Sequence, residues 1–258
     1  MNDLFWHETG SGPPLVLLHG GFLGHGMWDA QIPAFAPSHH VIAPDARGHG
    51  RSANATEPFR HTDDVAALLR HLGTGPAVLV GVSMGAGVAV DTALEHPELV
   101  TALVISGAGT SEPYFTDPWT TRNFATLNSA MAAGDLAASI EALTLFAAGP
   151  HRTLDEVDPD VVRRLRHMTA ETMGKHTSDE PDLLVPVRDT WARAAGIGVP
   201  VLAVHGSADS PDHIGMADRL AGTVADGRAV SVDGAAHYPN MERPGVFDEI
   251  LADFLRAL

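Results

Sequence analysis

The sequence predicts an α/β protein, a doubly wound and mostly parallel sheet with an inserted helical cap. Three observations carry that expectation. Short apolar runs without polar alternation recur through the first part of the chain, helical patterns separate them, and the strand pattern stops between Thr110 and Gly198 before it resumes.

The first run, Pro14–Gly20, ends in glycine, and His40–Pro44, Pro76–Val82 and Val100–Ser106 follow it. Runs of this length, rich in Val, Leu and Ile, suit strands covered on both faces. Helices are expected over Met27–Phe35, with Trp28, Ile32 and Phe35 on one side, over Asp63–Leu72, with Val65, Leu68, Leu69 and Leu72, and over Met84–His96. Within the interruption, Phe124, Leu127 and Met131 recur at helical spacing, as do Leu136, Ile140 and Leu143. Asp158 followed by Pro159 marks a helix start, an N-cap with proline at the first position. Strands return at Val199–His205 and Arg228–Val232, and an amphipathic helix over Val246–Leu258 closes the chain. Residues 1–109 and 199–258 are therefore expected to form the sheet core and 110–198 the cap.

Composition narrows the function. The 258 residues are 45% hydrophobic and 19% charged, which places the chain among globular proteins and outside the disordered class. A formal net charge of −16 repels phosphate backbones and anionic lipid, so no nucleic-acid or membrane partner is expected. The longest near-apolar stretch, Pro76–Val90, carries glycines and a serine and falls short of the roughly 18 to 20 residues of a membrane span. No basic region precedes an apolar run at the N-terminus, so a cytoplasmic location is the expectation. With no cysteine, disulfides, thiolate metal sites and a cysteine nucleophile are excluded. Fifteen histidines invite a metal, but no His-Glu-x-x-His occurs, and the adjacent His39 and His40 are expected to diverge at a strand start; no metal and no cofactor are expected.

Gly81-Val82-Ser83-Met84-Gly85 fits G-x-S-x-G and sits between an apolar strand and a helical run, the setting of a nucleophile elbow. The glycines leave room for backbone to approach a tight turn, strain presents the hydroxyl, and the following helix aims its amides at charge forming near Ser83. A serine needs a base, and the base needs an acid. Asp209 follows the penultimate strand and His237 the last one, so the order is Ser, Asp, His, all leaving from the carboxyl edge of a parallel sheet. Asp212 and Asp233 are rival acids, the first expected at a helix start and the second before a turn. The glycine-rich turn His19-Gly20-Gly21-Phe22 frees backbone amides; Gly21 or Phe22, with Gly21 preferred, would join the Met84 amide in an oxyanion hole. His19 is expected to brace this loop, and Gly48–Ser52, which lacks the lysine of a phosphate loop, to form a turn at the base of the pocket.

The stretches LLHGG at Leu17–Gly21, PDARGHGRS at Pro44–Ser52, GVSMGAG at Gly81–Gly87, HGSAD at His205–Asp209 and GAAHYPNMERP at Gly234–Pro244 resemble the α/β-hydrolase superfamily in content, order and distance. The resemblance spans almost the whole chain except the cap. It implies that fold, with Ser83, Asp209 and His237 as the triad, and it excludes haloalkane dehalogenases and epoxide hydrolases, which need an aspartate where Ser83 stands. Two departures stand out: only Leu4–His7 is available where members usually begin with a β-hairpin, so the first strand is missing or very short, and Ala86 replaces the usual second glycine after the elbow.

The expected function is a serine hydrolase of carboxylic esters or lactones, acting as a monomer or homodimer on a small molecule. Cap aromatics and methionines, among them Tyr114, Phe115, Trp119, Phe124, Phe146, Met168, Met173 and Trp191, mostly pack the cap, and a few would form an apolar pocket over the nucleophile. Carbon–carbon cleavage of retro-Claisen type, perhydrolase or haloperoxidase chemistry on the same triad, and a ligand-binding receptor that keeps the triad are the alternatives.

Overall fold

A computed structural model of the chain describes residues 4–177 and 179–258. Strands β1 (Trp6–Thr9), β2 (Pro14–Leu18), β3 (His40–Pro44), β4 (Ala77–Val82), β5 (Val100–Ser106), β6 (Val201–Gly206) and β7 (Gly227–Val232) form one sheet in the order β1-β3-β2-β4-β5-β6-β7. Only β1 is antiparallel, pairing with β3 from Trp6 opposite Pro44 to Thr9 opposite Val41; the other pairs are parallel. The short first strand thus exists, as a four-residue edge.

Uniformly apolar runs are what a sheet with two cores requires. Leu15, Leu17, Val78, Val80, Val104 and Val204 point into one buried cluster, while Val16, Leu18, Leu79, Leu103, Ile105 and Ala203 point into the other. Along the five inner strands side chains alternate between two buried faces, whereas the edge strand β7 is exposed over Arg228–Ser231.

The helices are α1 (Gln31–Phe35), α2 (His61–Leu72), α3 (Met84–Glu95), α4 (Pro118–Ala132), α5 (Leu136–Thr144), α6 (Pro159–Met173), α7 (Thr190–Arg193), α8 (Pro211–Thr223), α9 (Pro239–Glu242) and α10 (Pro244–Arg256). Met27–Phe35 is not one helix but a 3₁₀ turn over His25–Trp28 followed by α1. Pro33 explains the break, since without an N–H it cannot extend a helix running in from Met27. The core contacts of that pattern survive, because Trp28, Ile32 and Phe35 all join the first cluster.

Helices α4 to α7 lie between β5 and β6, where the strand pattern stops. Asp158 caps α6 by accepting from the Asp160 amide, with Pro159 first in the helix. The apolar stripes there are only partly inward: Leu127 is buried, whereas Met131 and Leu136 are exposed. Among the described residues, no helix is long and apolar enough to cross a membrane.

Candidate active site

Ser83 occupies the turn between β4 and α3 with φ 55° and ψ −117°. Left-handed φ at a residue with a Cβ costs on the order of 1–3 kcal/mol, and the surroundings hold it there. A Cβ on Gly81 would stand 2.2 Å from the Gly85 carbonyl oxygen, and one on Gly85 would stand 2.2 Å from that of Leu18. Glycine at both places lets β2, the turn and α3 close on one another. The Ser83 amide donates to the Ser106 carbonyl at 2.7 Å, tying the turn to the end of β5.

The loop after β2 lies beside this turn. The Cβ direction of Gly20 points to within 3.7 Å of Ser83 Cβ, and that of Gly21 to within 3.8 Å of Met84 Cβ. Phe22 is held at φ 60°, unusual for an aromatic residue. Among the described residues, the amides of Gly21, Phe22 and Met84 donate to no protein acceptor. His19 accepts from the Ala46 amide through Nε2 at 2.8 Å and so carries its proton on Nδ1, which donates to Gly20 O at 2.8 Å. Burial keeps it neutral, and it braces the loop. Burial also pushes His49 down to about 3 and His61 to about 4, so the histidines under this loop add no charge at neutral pH. The Gly48–Ser52 turn packs His49 against the rings of His19 and Phe22, with centres 5.3 and 6.3 Å apart, while its Gly50 and Arg51, with Leu23, His25 and helix α6, line a surface cleft, and Lys175 donates to its carbonyls.

Asp209 follows β6 and His237 follows β7, and both are buried. His237 Nδ1 lies 2.8 Å from Asp209 Oδ2. The rivals lie elsewhere: Asp212 accepts from the Thr116 and Asp117 amides, and Asp233 accepts from Ser207 Oγ. Burial alone would raise the Asp209 pKa, but His237 and His213 outweigh it and hold the carboxyl well below the usual range. Burial lowers the His237 pKa, Asp209 pulls the other way, and His213 adds to the drop. Ser83 Oγ has no hydrogen-bond partner among the described residues, so the structure brings acid and base together and leaves the hydroxyl free.

His213 is a member of this site that motif reading missed. Its Nδ1 lies 3.0 Å from Asp209 Oδ1, and its ring centre 4.2 Å from that of His237. The signal was local: Ser210 caps α8 and Pro211 opens it, so a residue four after Asp209 returns to it one turn later. Asp209, His213 and His237 are also the one trio among the described residues with spacing suited to a metal ion, their ligand atoms lying within 4.8 Å of one another.

Gly107 is another. At φ 66° just past β5, it offers the flat surface on which the imidazole rests, and a Cβ there would stand 2.6 Å from His237 Cε1. Gly107→Ala is expected to displace the ring and lower kcat by about 10- to 100-fold, with a stability cost of only about 1–2 kcal/mol. Steady-state rates alongside thermal melts check this.

The His237 loop is held from behind. Glu242 accepts from the Ala236 amide at 2.8 Å and pairs with Arg152 at 2.7 Å, and Arg152 also donates to the carbonyls of Ala147, Ala148 and Gly234. One guanidinium so joins the segment after α5 to the loop bearing the imidazole. From that segment Phe146 reaches His237, with ring centres 5.5 Å apart, and Phe124 and Trp119 pack behind it. Of the aromatics between β5 and β6, Phe146 and Phe115 are therefore the ones that reach the two imidazoles, whereas Trp191 packs under Arg219 and Tyr114 is exposed.

Comparison with known proteins agrees with this architecture. A family model described as alpha/beta hydrolase fold matches residues 13–244. A pimeloyl-[acyl-carrier protein] methyl ester esterase of Aeromonas hydrophila is 31% identical, with 95% of this chain and 96% of that protein covered. A 2-hydroxymuconate semialdehyde hydrolase of Pseudomonas sp. is 28% identical, covering 96% of this chain and 89% of the relative. Among solved structures, Est816, described as an N-acyl homoserine lactone degrading enzyme, superposes with a TM-score of 0.78 at 25% identity, covering 97% of this chain and 96% of its own.

Proposed function

The chain belongs to the α/β-hydrolase family, and from that premise we propose that it is a serine hydrolase cleaving carboxylic esters or lactones of small, largely apolar substrates through an acyl-enzyme. The observation that carries this reading is the buried Asp209–His237 pair at the sheet edge that also bears the strained Ser83 turn. Relatives named as a methyl ester esterase and a lactone-degrading enzyme support the substrate class.

In this mechanism His237 Nε2 accepts the proton of Ser83 Oγ as the oxygen attacks the carbonyl carbon. The Met84 amide and that of Gly21 or Phe22 hold the resulting oxyanion, each donor lowering the barrier by about 3–4 kcal/mol. His237 returns the proton to the leaving alkoxide, and the alcohol departs. Water then gives a proton to His237 and attacks the acyl group, and collapse restores Ser83 and releases the acid. Asp209 fixes the Nδ1–H tautomer and stabilises the imidazolium. No metal or cofactor is needed for these steps. Residues 110–198 act as the lid, with Phe146 and Phe115 setting an apolar wall beside the two imidazoles.

The sign of the pH dependence follows from His237. The base works neutral, and burial holds its pKa below the ordinary 6.5. The acid limb of kcat/KM should therefore have its midpoint below 6.5, with activity lost as pH falls through it. A pH–rate profile on a p-nitrophenyl ester checks the position.

The substrate class is tested by comparing short p-nitrophenyl esters and simple lactones with a 1,3-diketone. Faster turnover of the esters and lactones is expected. Cleavage of the diketone alone would move the activity to carbon–carbon bonds.

A further inference from the structure

The mechanism above uses one imidazole on Asp209, yet the carboxylate carries two. Oδ2 faces His237 at 2.8 Å, while Oδ1 accepts from the Ser210 amide at 2.7 Å and lies 3.0 Å from His213 Nδ1. A deprotonated Nδ1 would set its lone pair against the carboxylate, so the proton of His213 sits on Nδ1 and is donated. Ser210 Oγ lies 3.0 Å from the same nitrogen, and the His213 amide reaches it at 3.4 Å, so that hydroxyl supports the ring from the helix cap. Both imidazoles are buried, and Phe146 stands 5.5–5.6 Å from each.

We propose that His213 is a positioning residue of the relay: as the second donor to Oδ1, beside the Ser210 amide, it fixes the Asp209 carboxylate in the rotation that turns Oδ2 to His237 Nδ1. This rests on the serine-hydrolase reading for its effect on rate, though not for the bond itself. Held on Oδ1 by the Ser210 amide alone, the carboxylate could still tilt about that one bond and present Oδ2 to His237 at variable geometry, and a base misplaced by a fraction of an ångström loses rate. The second donor also draws charge from the carboxylate, which weakens its hold on the His237 proton. The titratable groups facing the pair are Asp209, shared by both rings, and Tyr238 beside His237. Glu242 is engaged by Arg152, and Asp212 is turned to the Thr116 and Asp117 amides.

His213→Leu removes the donor while filling the space, and His213→Asn keeps an N–H near the position of Nδ1. On a p-nitrophenyl ester, His213→Leu should lower kcat about tenfold with KM within about twofold, and should move the acid limb to higher pH, because Asp209 then holds the His237 proton more strongly. His213→Asn should recover most of both. A side chain that merely fills space would leave the acid limb in place, and that outcome, or equal losses in the two variants, overturns the proposal. Proton NMR of the substrate-free wild type reads the bond without any variant: two exchange-protected imidazole N–H resonances far downfield are expected, one of them absent in His213→Asn. A single such resonance contradicts the proposal. If wild-type protein turns over no ester or lactone while both resonances are present, the activity reading fails and the bond stands.

Discussion

Ser83→Ala is expected to lower kcat on esters by about four to six orders of magnitude and to leave the melting temperature nearly unchanged. Both halves follow from the turn. The hydroxyl has no protein partner to lose among the described residues, and alanine carries the same Cβ through the same left-handed φ, so the strain is common to both residues. What disappears is the atom that forms the acyl bond. His237→Ala should cost a comparable factor, and the double variant little more than either single one, because a nucleophile without its base and a base without its nucleophile are equally idle. Steady-state rates with melting curves on the three variants check this.

Gly81→Ala is expected to have the largest effect on stability. The added methyl would stand 2.2 Å from the Gly85 oxygen, 2.3 Å from its carbonyl carbon and 2.5 Å from the Ala86 nitrogen, all backbone at the start of α3. None of these can swing aside as a side chain can, so strand, turn and helix must separate. A loss above about 5 kcal/mol is expected, comparable with the whole stability of many domains, and the variant should be recovered unfolded or not at all. The identical substitution at Gly215, exposed inside α8 with open space around its Cβ, should instead stabilise by up to about 1 kcal/mol. Opposite signs for one chemical change would locate the effect in the approach of backbone to Gly81 and not in glycine content.

The sheet was legible because its inner strands are buried on both faces, so Leu15–Leu18 and Ala77–Val82 read as unbroken apolar runs. The elbow was legible because its steric demand is local and leaves glycines at fixed offsets from Ser83. Asp209 and His237 were legible only through topology, as the polar residues just past β6 and β7. Three features were not. The break before α1 turns on Pro33, which an apolar pattern at Trp28, Ile32 and Phe35 overrides by eye. Gly107 looks like any glycine after a strand until the imidazole from the far end of the chain is placed on it. Phe146 is one aromatic among several between β5 and β6, and only the Arg152 bridge to the His237 loop brings its segment to the site. His213 lies between these cases, written in the helix-cap signal of Ser210-Pro211 but hidden behind the rivalry of the nearby aspartates.

The most direct measurement is to treat the protein with a serine-directed fluorophosphonate and find the modified residue by peptide mass spectrometry. A single adduct on Ser83, formed in step with loss of ester hydrolysis and much more slowly in His237→Ala, is the predicted result. Ester hydrolysis that persists with Ser83 fully modified, or an adduct that abolishes it from any other residue, would contradict the account.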